Sequence, residues 1–151
     1  MALRDDIEEA LKRALKAKAA DEVSTLRMMR AAIQQRDIEN RGGGKPAAGD
    51  AEVLQVLAKM VKQREESAAA FEAGKRPELA ARERGEITVI RNFMPKQMSE
   101  AEIRAAAEAA IGETGAASVK DMGKVIGRLR EKHAGQMDFG KASAIVKSLL
   151  G

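Results

Sequence analysis

The sequence contains no cysteine, no tryptophan and no tyrosine, and it has one histidine and three phenylalanines among 151 residues. Without cysteine there is no disulfide, no thiolate ligand for a metal and no cysteine nucleophile. Without Tyr and Trp, bases cannot stack on those rings, which argues against sequence-specific recognition of single strands. The single histidine, His133, ends an apolar helical stripe, and we interpret it as structural.

Catalytic and metal-binding patterns are also missing. Carboxylate pairs such as Asp5–Asp6 and Glu65–Glu66 are neighbours in sequence, and neighbouring residues of a helix point about 100° apart. No His/Cys cluster has metal-ligand spacing, and no serine lies in a G-x-S-x-G setting. We therefore predict no catalytic residue, no metal site and no cofactor, and we do not expect the chain to be an enzyme by itself.

Long apolar runs are absent as well. No run reaches the roughly 18 apolar residues that suggest a membrane-spanning helix. Arg4, Asp5 and Asp6 interrupt the start of the chain, which is unlike a signal peptide. These features lead us to expect a cytoplasmic location and no membrane partner.

What is present favours helices. Hydrophobic residues make up 44% of the chain and charged residues 33%, and the aliphatic residues and alanine dominate the apolar fraction. We predict an all-α protein with an N-terminal domain of about four helices, residues 1–94, and a three-helix tail domain, residues 95–151. The periodicity predicts helices at 3–19, 21–41, 50–73, 77–92 and 99–112, and two more within 118–150 joined by a loop around Gly135.

Polar residues at the predicted helix starts suggest caps. Ser99 and Glu102 have the spacing of a capping box. Asp21, Asp50, Ser118 and Asp138 occupy N-cap positions. The segment 42–46 reads Gly-Gly-Gly-Lys-Pro, for which we predict a loop that is the least ordered part of the chain. Within the fourth helix, Gly85 predicts a close approach of a neighbouring helix.

The net charge of +4 is concentrated near the C-terminus. Of 27 basic and 23 acidic residues, residues 115–151 hold seven and three, which leaves 20 of each (27 − 7 and 23 − 3) for everything before. An asymmetry of this kind is expected of a segment that meets an anion. The alternative is a solvated surface with a surplus of lysine.

One predicted helix, Val119–His133, separates its residue types. Its apolar side consists of Val119, Met122, Ile126, Leu129 and His133. Lys120, Lys124 and Arg128 lie roughly opposite, with Gly123 and Gly127 beside them. These glycines either let a phosphodiester approach the helix backbone or admit a neighbouring helix at short distance.

Three stretches resemble the YqeY family. They are KMVKQREESAAAFEAGKRPELAARE, EITVIRNFMPKQMSEAEI and ETGAASVKDMGKVIGRLREKHAGQMDFGKASAIVKSLL, and LRMMRAAIQQRDIENR fits the family's early segment. The last stretch also resembles the tail domain of GatB, the tRNA-handling subunit of the glutamine-dependent tRNA amidotransferase. The resemblance implies a helical bundle followed by a three-helix tail that, in GatB, touches the outer corner of tRNA. The catalytic body of GatB has no counterpart here.

The matched tail positions are Lys120, Asp121, Gly123, Lys124, Gly127, Gly140 and Lys141. Together with Arg128, all of these except Asp121 form the RNA-binding site that we predict, with the cations neutralising phosphates. Asp138 departs from the family pattern and adds a negative charge at the edge of this site.

The function implied is that of a non-catalytic accessory protein that binds tRNA or other structured RNA. A second hypothesis is an adaptor that docks on an amidotransferase or an aminoacyl-tRNA synthetase without touching RNA. Direct participation in amide transfer is the third, and the missing catalytic residues disfavour it.

Overall fold

The computed structural model describes residues 2–151, and the prediction of an all-α protein is confirmed for this part of the chain. It contains seven α-helices and no strand. The helices are α1 (Leu3–Lys16), α2 (Ala20–Gly42), α3 (Asp50–Ala73), α4 (Pro77–Arg91), α5 (Glu100–Thr114), α6 (Met122–His133) and α7 (Phe139–Leu150). A 3-10 turn, Val119–Asp121, precedes α6.

The chain divides into two compact units, Met1–Met94 and Pro95–Gly151. The first unit holds α1–α4, and the second, which we call the tail unit, holds α5–α7. Each unit has its own aliphatic core. In the first unit the buried side chains are contributed by all four helices, and α3 and α4 form the most extensive helix pair.

Two of the predicted N-cap residues, Asp21 and Asp50, do not cap the helices for which we predicted them. Asp50 is the first residue of α3, but its Oδ1 accepts the backbone N–H of Leu3 at 3.0 Å and so caps α1 instead. Asp21 lies in the first turn of α2 and is not its N-cap. Pro77 does open α4, as predicted. The approach expected at Gly85 was wrong, because a Cβ there would meet no atom within 4 Å.

Four helices end in the same way. Beyond α1, α2, α3 and α5, a backbone N–H reaches back to the carbonyl five residues earlier, with Ala19, Lys45, Arg76 and Ala116 as donors. This closure requires one residue in the left-handed region. Glycine takes that position after α2 and α5, at Gly44 and Gly115, whereas lysine takes it after α1 and α3, at Lys18 and Lys75. The first of these turns ends α1 at Lys16, earlier than the predicted residue 19.

The glycine-rich loop after α2 is anchored at its far end, at Ala48. Arg4 forms two hydrogen bonds with the carboxylate of Asp37, at 2.9 and 3.0 Å. Ala48, itself buried, donates its N–H to Asp37 at 2.8 Å and accepts from Arg4 at 2.6 Å. The hydrogen bonds from Arg4 and from the Ala48 N–H lower the pKa of Asp37 to about 2. These contacts tie α1, α2 and the loop together.

In the tail unit, hydrogen bonds connect the residues before α5 to the loop between α6 and α7. The Ser99–Glu102 capping box is present at the start of α5, and Asp138 caps α7 by accepting from the N–H of Gly140, both as predicted. Met98 donates its N–H to the carbonyl of Gln136 at 2.7 Å. Gln97 donates its side-chain amide to the carbonyl of Gly135 at 2.6 Å. The residues before α5 therefore hold the loop between α6 and α7.

Candidate nucleic-acid interface

The predicted helix over Val119–His133 begins three residues late. Val119 lies in the 3-10 turn and is 41% exposed, so it does not belong to the apolar stripe. A 3-10 turn has about 3.0 residues per turn in place of 3.6, which rotates Val119 away from the core side. The buried residues of α6 are Val125 and Leu129, whereas His133 is half-buried near the helix end.

Asp121 has a structural part in this turn. Its carboxylate accepts the backbone N–H groups of Ala117, at 3.0 Å, and Ser118, at 3.4 Å. These hydrogen bonds lower the pKa of Asp121, with a smaller contribution from the charge of Lys124. Ser118 is the N-cap residue as predicted, but the element that follows it is the 3-10 turn and not an α-helix.

Four of the seven predicted site residues line one open depression on the tail unit. It has a volume of about 500 Å³ and is bordered by α6 and the end of α5. The lining residues are Thr114, Gly123, Lys124, Gly127, Arg128 and Glu131. Lys120, Gly140 and Lys141 are not among them.

The two glycines of α6 form the bare part of this surface. A Cβ placed on Gly123 or on Gly127 would meet no atom within 4 Å. Neither glycine is therefore required by helix packing within the tail unit, and the alternative that they admit a neighbouring helix of this unit is wrong. The same positions leave the α6 backbone open to an approaching group.

Arg128 is not a free cation. Its guanidinium lies 2.7 Å from a carboxylate oxygen of Glu113 and 3.1 Å from one of Glu131. Lys132 binds the other oxygen of Glu113 at 2.6 Å. Hydrogen bonds from Lys132 and Arg128 lower the pKa of Glu113 to about 2. We call this group the Glu113 cluster.

Sequence reasoning missed three members of the Glu113 cluster, namely Glu113, Glu131 and Lys132. Lys132 continues the four-residue spacing of Lys124 and Arg128, so its position on this flank could have been predicted from helical periodicity. Glu113 is on another helix, and its contact with α6 depends on how α5 and α6 pack. A further missed contact is Arg130, whose guanidinium lies 5.3 Å from the ring centre of Phe139, within the range of a cation–π interaction.

The three predicted lysines differ from Arg128 in their surroundings. Lys120, Lys124 and Lys141 are exposed, and within residues 2–151 none has a carboxylate oxygen within 4.0 Å. Gly140 is explained by the cap: its N–H lies 2.7 Å from Asp138 Oδ1, and a Cβ on Gly140 would lie 3.0 Å from the same oxygen. Its contribution is thus to the start of α7.

Residues 2–151 contain no group of three or more His, Asp and Glu side chains that could hold a metal ion. In the same part of the chain, no helix combines the length and the apolar character needed to cross a membrane.

The fold defines a class of protein: a helical bundle is followed by a small three-helix unit. The three-helix unit has an open flank that carries glycine and lysine. The profile described as Yqey-like protein matches residues 4–150. The chain belongs to this family.

Named relatives occur in fungi. The chain is 30% identical over 93 residues to an uncharacterised protein of Schizosaccharomyces pombe. This match covers 62% of this chain and 72% of that protein. It is 32% identical over 84 residues to Altered inheritance of mitochondria protein 41, mitochondrial, of Saccharomyces cerevisiae. That match covers 56% of this chain and 44% of the yeast protein, so the chain spans less than half the length of this relative.

The prediction of a cytoplasmic location is contradicted by these comparisons, because the named Saccharomyces relative is a mitochondrial protein. The prediction depended on the lack of an apolar leader. That argument was incomplete, since mitochondrial targeting segments are amphipathic and Arg-rich and contain no long apolar run.

Proposed function

We propose that the tail unit binds structured RNA, with tRNA as the expected ligand, and that the chain is a non-catalytic accessory protein. The observation that carries this proposal is the exposed Lys124 beside the open main chain of Gly123 and Gly127 on α6. The relation to the GatB tail, which the residue pattern suggests, makes tRNA the first RNA to test.

Charge supports contact with a phosphate backbone. Lys120 lies in the 3-10 turn before α6 and Lys124 lies in the first turn of α6, and neither has a carboxylate oxygen within 4.0 Å among the described residues. Lysine ammonium groups bind phosphate as point charges and release counterions, without reading the bases. Recognition of this kind is governed by the shape and charge of the RNA.

The glycines support close approach. Gly127, in the interior of α6, costs about 1 kcal/mol of helix stability relative to alanine, and Gly123 lies in the first turn of the same helix. Packing within the tail unit does not compensate for this cost, because both positions face open space. A bound phosphodiester that lies against the helix backbone would supply the missing reason.

The first experiment measures the salt dependence of tRNA binding by the full chain. Replacing Lys120, Lys124 and Lys141 by alanine should weaken binding and should flatten the slope of log K against log salt. Each lost phosphate contact is expected to change that slope by about 0.7 to 0.9. An RNA duplex of the same length as the tRNA, titrated at the same salt concentrations, tests whether the chain prefers the tRNA shape.

A matched control is available in the first unit. Lys59, Lys62 and Lys75 are also exposed, and none is paired with a carboxylate in the described part of the chain. Their replacement by alanine removes the same net charge and should leave most of the affinity and slope unchanged. Wild-type affinity and slope in the tail variant would refute the RNA proposal, and an adaptor function would then be favoured.

A further inference from the structure

A second surface with binding character lies on the first unit, between the end of α1 and the first turns of α2. It is a shallow, open trough with a volume of about 620 Å³. The lining residues are Leu15, Lys18, Ala20, Val23, Ser24, Arg27 and Met28.

The floor of the trough is apolar and continuous with the core. Val23 and Met28 are partly buried and pack against the buried residues of the first unit. Leu15, in contrast, is 47% exposed and extends the apolar patch formed by Val23 and Met28. The trough therefore offers apolar area that nothing in the first unit covers.

The rim is positively charged. Lys18 and Arg27 are the charged lining residues, and no carboxylate lines the trough. The segment Leu11–Ala20 contains four cations, at positions 12, 13, 16 and 18, and no acidic residue. Among the described residues, neither Lys18 nor Arg27 lies within 4.0 Å of a carboxylate oxygen, whereas Arg30, one turn beyond Arg27, is 3.6 Å from Glu8.

The shape favours a helix as the occupant. The α2 face from Ala20 to Met28 rises by about 12 Å at about 1.5 Å per residue, which equals roughly two helical turns. Small-molecule sites enclose most of their ligand, and this trough is too open for that. An amphipathic helix can lie in such a groove with anchor residues at spacings of three and four.

We infer that this trough docks an acidic amphipathic helix of a partner protein, with its apolar side against Leu15, Val23 and Met28 and its carboxylates facing Lys18 and Arg27. A membrane surface fits less well, because the first half of α1 carries Asp5, Asp6, Glu8 and Glu9, which an anionic bilayer would repel. The inference does not depend on RNA binding by the tail unit.

The test uses a synthetic helical peptide with leucine at every third or fourth position and glutamate on both flanks. Its binding to the full ¹⁵N-labelled chain is followed by chemical-shift changes and by calorimetry. We expect shifts confined to the α1–α2 corner. A second peptide with lysine in place of glutamate should bind at least tenfold more weakly.

Two pairs of variants separate the apolar and the charged contributions. Leu15→Ser should weaken binding at least fivefold, whereas Ile38→Ser, which alters another exposed aliphatic side chain (59% exposed), should not. Lys18→Glu with Arg27→Glu should abolish binding, and Lys75→Glu with Arg82→Glu should leave it intact. This second control is matched in conformation, because Lys18 and Lys75 both have positive φ.

Several results would overturn the inference. They are equal binding of both peptides, wild-type affinity in the Leu15 or the Lys18/Arg27 variants, and no binding at millimolar peptide. Loss of tRNA affinity in the Lys18→Glu, Arg27→Glu variant with no effect on the peptide would assign the trough to RNA.

Discussion

The two units treat their cations differently. In the first unit, arginines reach carboxylates on other helices: Arg4 binds Asp37, Arg36 binds Glu52, and Arg64 binds Glu86 in a pair that is less than 20% exposed. In the tail unit, Arg128 and Lys132 share Glu113 at the surface, and Lys120, Lys124 and Lys141 face solvent.

This difference separates positive charge that holds a fold from positive charge that is available to a ligand. A partly buried arginine with several hydrogen bonds cannot leave them without leaving its partner unsatisfied. An exposed lysine without a carboxylate partner has no ion pair to lose when it binds phosphate, and even a surface ion pair contributes only about 0 to 1 kcal/mol.

The largest expected effect concerns the cores. Leu57 and Leu129 are each buried, one in each unit, and replacement by alanine should lower the free energy of unfolding by about 2 to 5 kcal/mol. Because the units have separate cores, we expect Leu129→Ala to destabilise residues 95–151 and to spare α1–α4. Hydrogen exchange resolved by residue checks this, and equal loss of protection in both units would show that they unfold together.

The next effect concerns the loop contact in the first unit. Asp37→Asn removes the charge that Arg4 and the Ala48 N–H bind, and we expect a loss of about 1 to 3 kcal/mol in unfolding free energy. The pKa of Asp37 is lowered from 3.8 to about 2, so its stabilisation is present above about pH 4 and is lost as the pH falls through 2. Urea unfolding between pH 5 and 2 should show a weaker acid dependence in the Asn variant, and an unchanged dependence would contradict this assignment.

The next prediction concerns tRNA affinity, which we expect a substitution in the Glu113 cluster to raise. Glu113→Gln removes a negative charge beside Arg128 and Lys132, so tRNA affinity should rise by a few-fold and the salt slope should steepen. Glu72→Gln, which removes the carboxylate partner of Arg84 in the first unit, is the control. Reduced tRNA affinity in Glu113→Gln would mean that this carboxylate positions the cations for RNA and does not compete with it.

Helix glycines permit a test in which stability and binding move in opposite directions. Gly127→Ala and Gly85→Ala should each raise the free energy of unfolding by about 0.5 to 1 kcal/mol, because neither Cβ meets an atom within 4 Å. Only Gly127→Ala should also weaken tRNA binding. Thermal unfolding and tRNA titration of both variants decide this, and unchanged binding in Gly127→Ala would remove the glycines from the interface.

Effects of about the same size are expected at the helix ends. Lys75→Gly relieves a positive φ of 60° and should stabilise the first unit by about 0.5 kcal/mol or slightly more. Gly115→Ala introduces the reverse strain in the tail unit and should cost about 1 kcal/mol. Paired urea titrations measure both, and a destabilising Lys75→Gly would show that the lysine side chain makes a compensating contact.

Helix number and helix type could be predicted from the sequence, because periodicity and capping are local. Ser99–Glu102 and Asp138 cap the helices that they precede, and Pro77 opens α4. Asp50 shows where this reasoning fails: a carboxylate at a helix start can cap any nearby helix, and here it serves α1. Val119 shows where the argument from periodicity fails, since it lies in a 3-10 turn, which changes the rotation per residue.

Four of the predicted site residues lie together for the same reason. Gly123, Lys124, Gly127 and Arg128 lie on one face because they belong to one helix. The neutralisation of Arg128 by Glu113 could not be predicted, because the two residues are on different helices.

By itself, the sequence determined the helical class, the positions of the helices, the excess of basic residues near the C-terminus and the membership of the YqeY family. Only the tertiary structure decided which charges remain available. Helix packing brings Glu113 to Arg128 and Asp37 to Arg4 and leaves Lys124 without such a partner in the described chain. Local pattern sets which way a side chain points along its own helix, but the partner that it meets depends on contacts between distant parts of the chain.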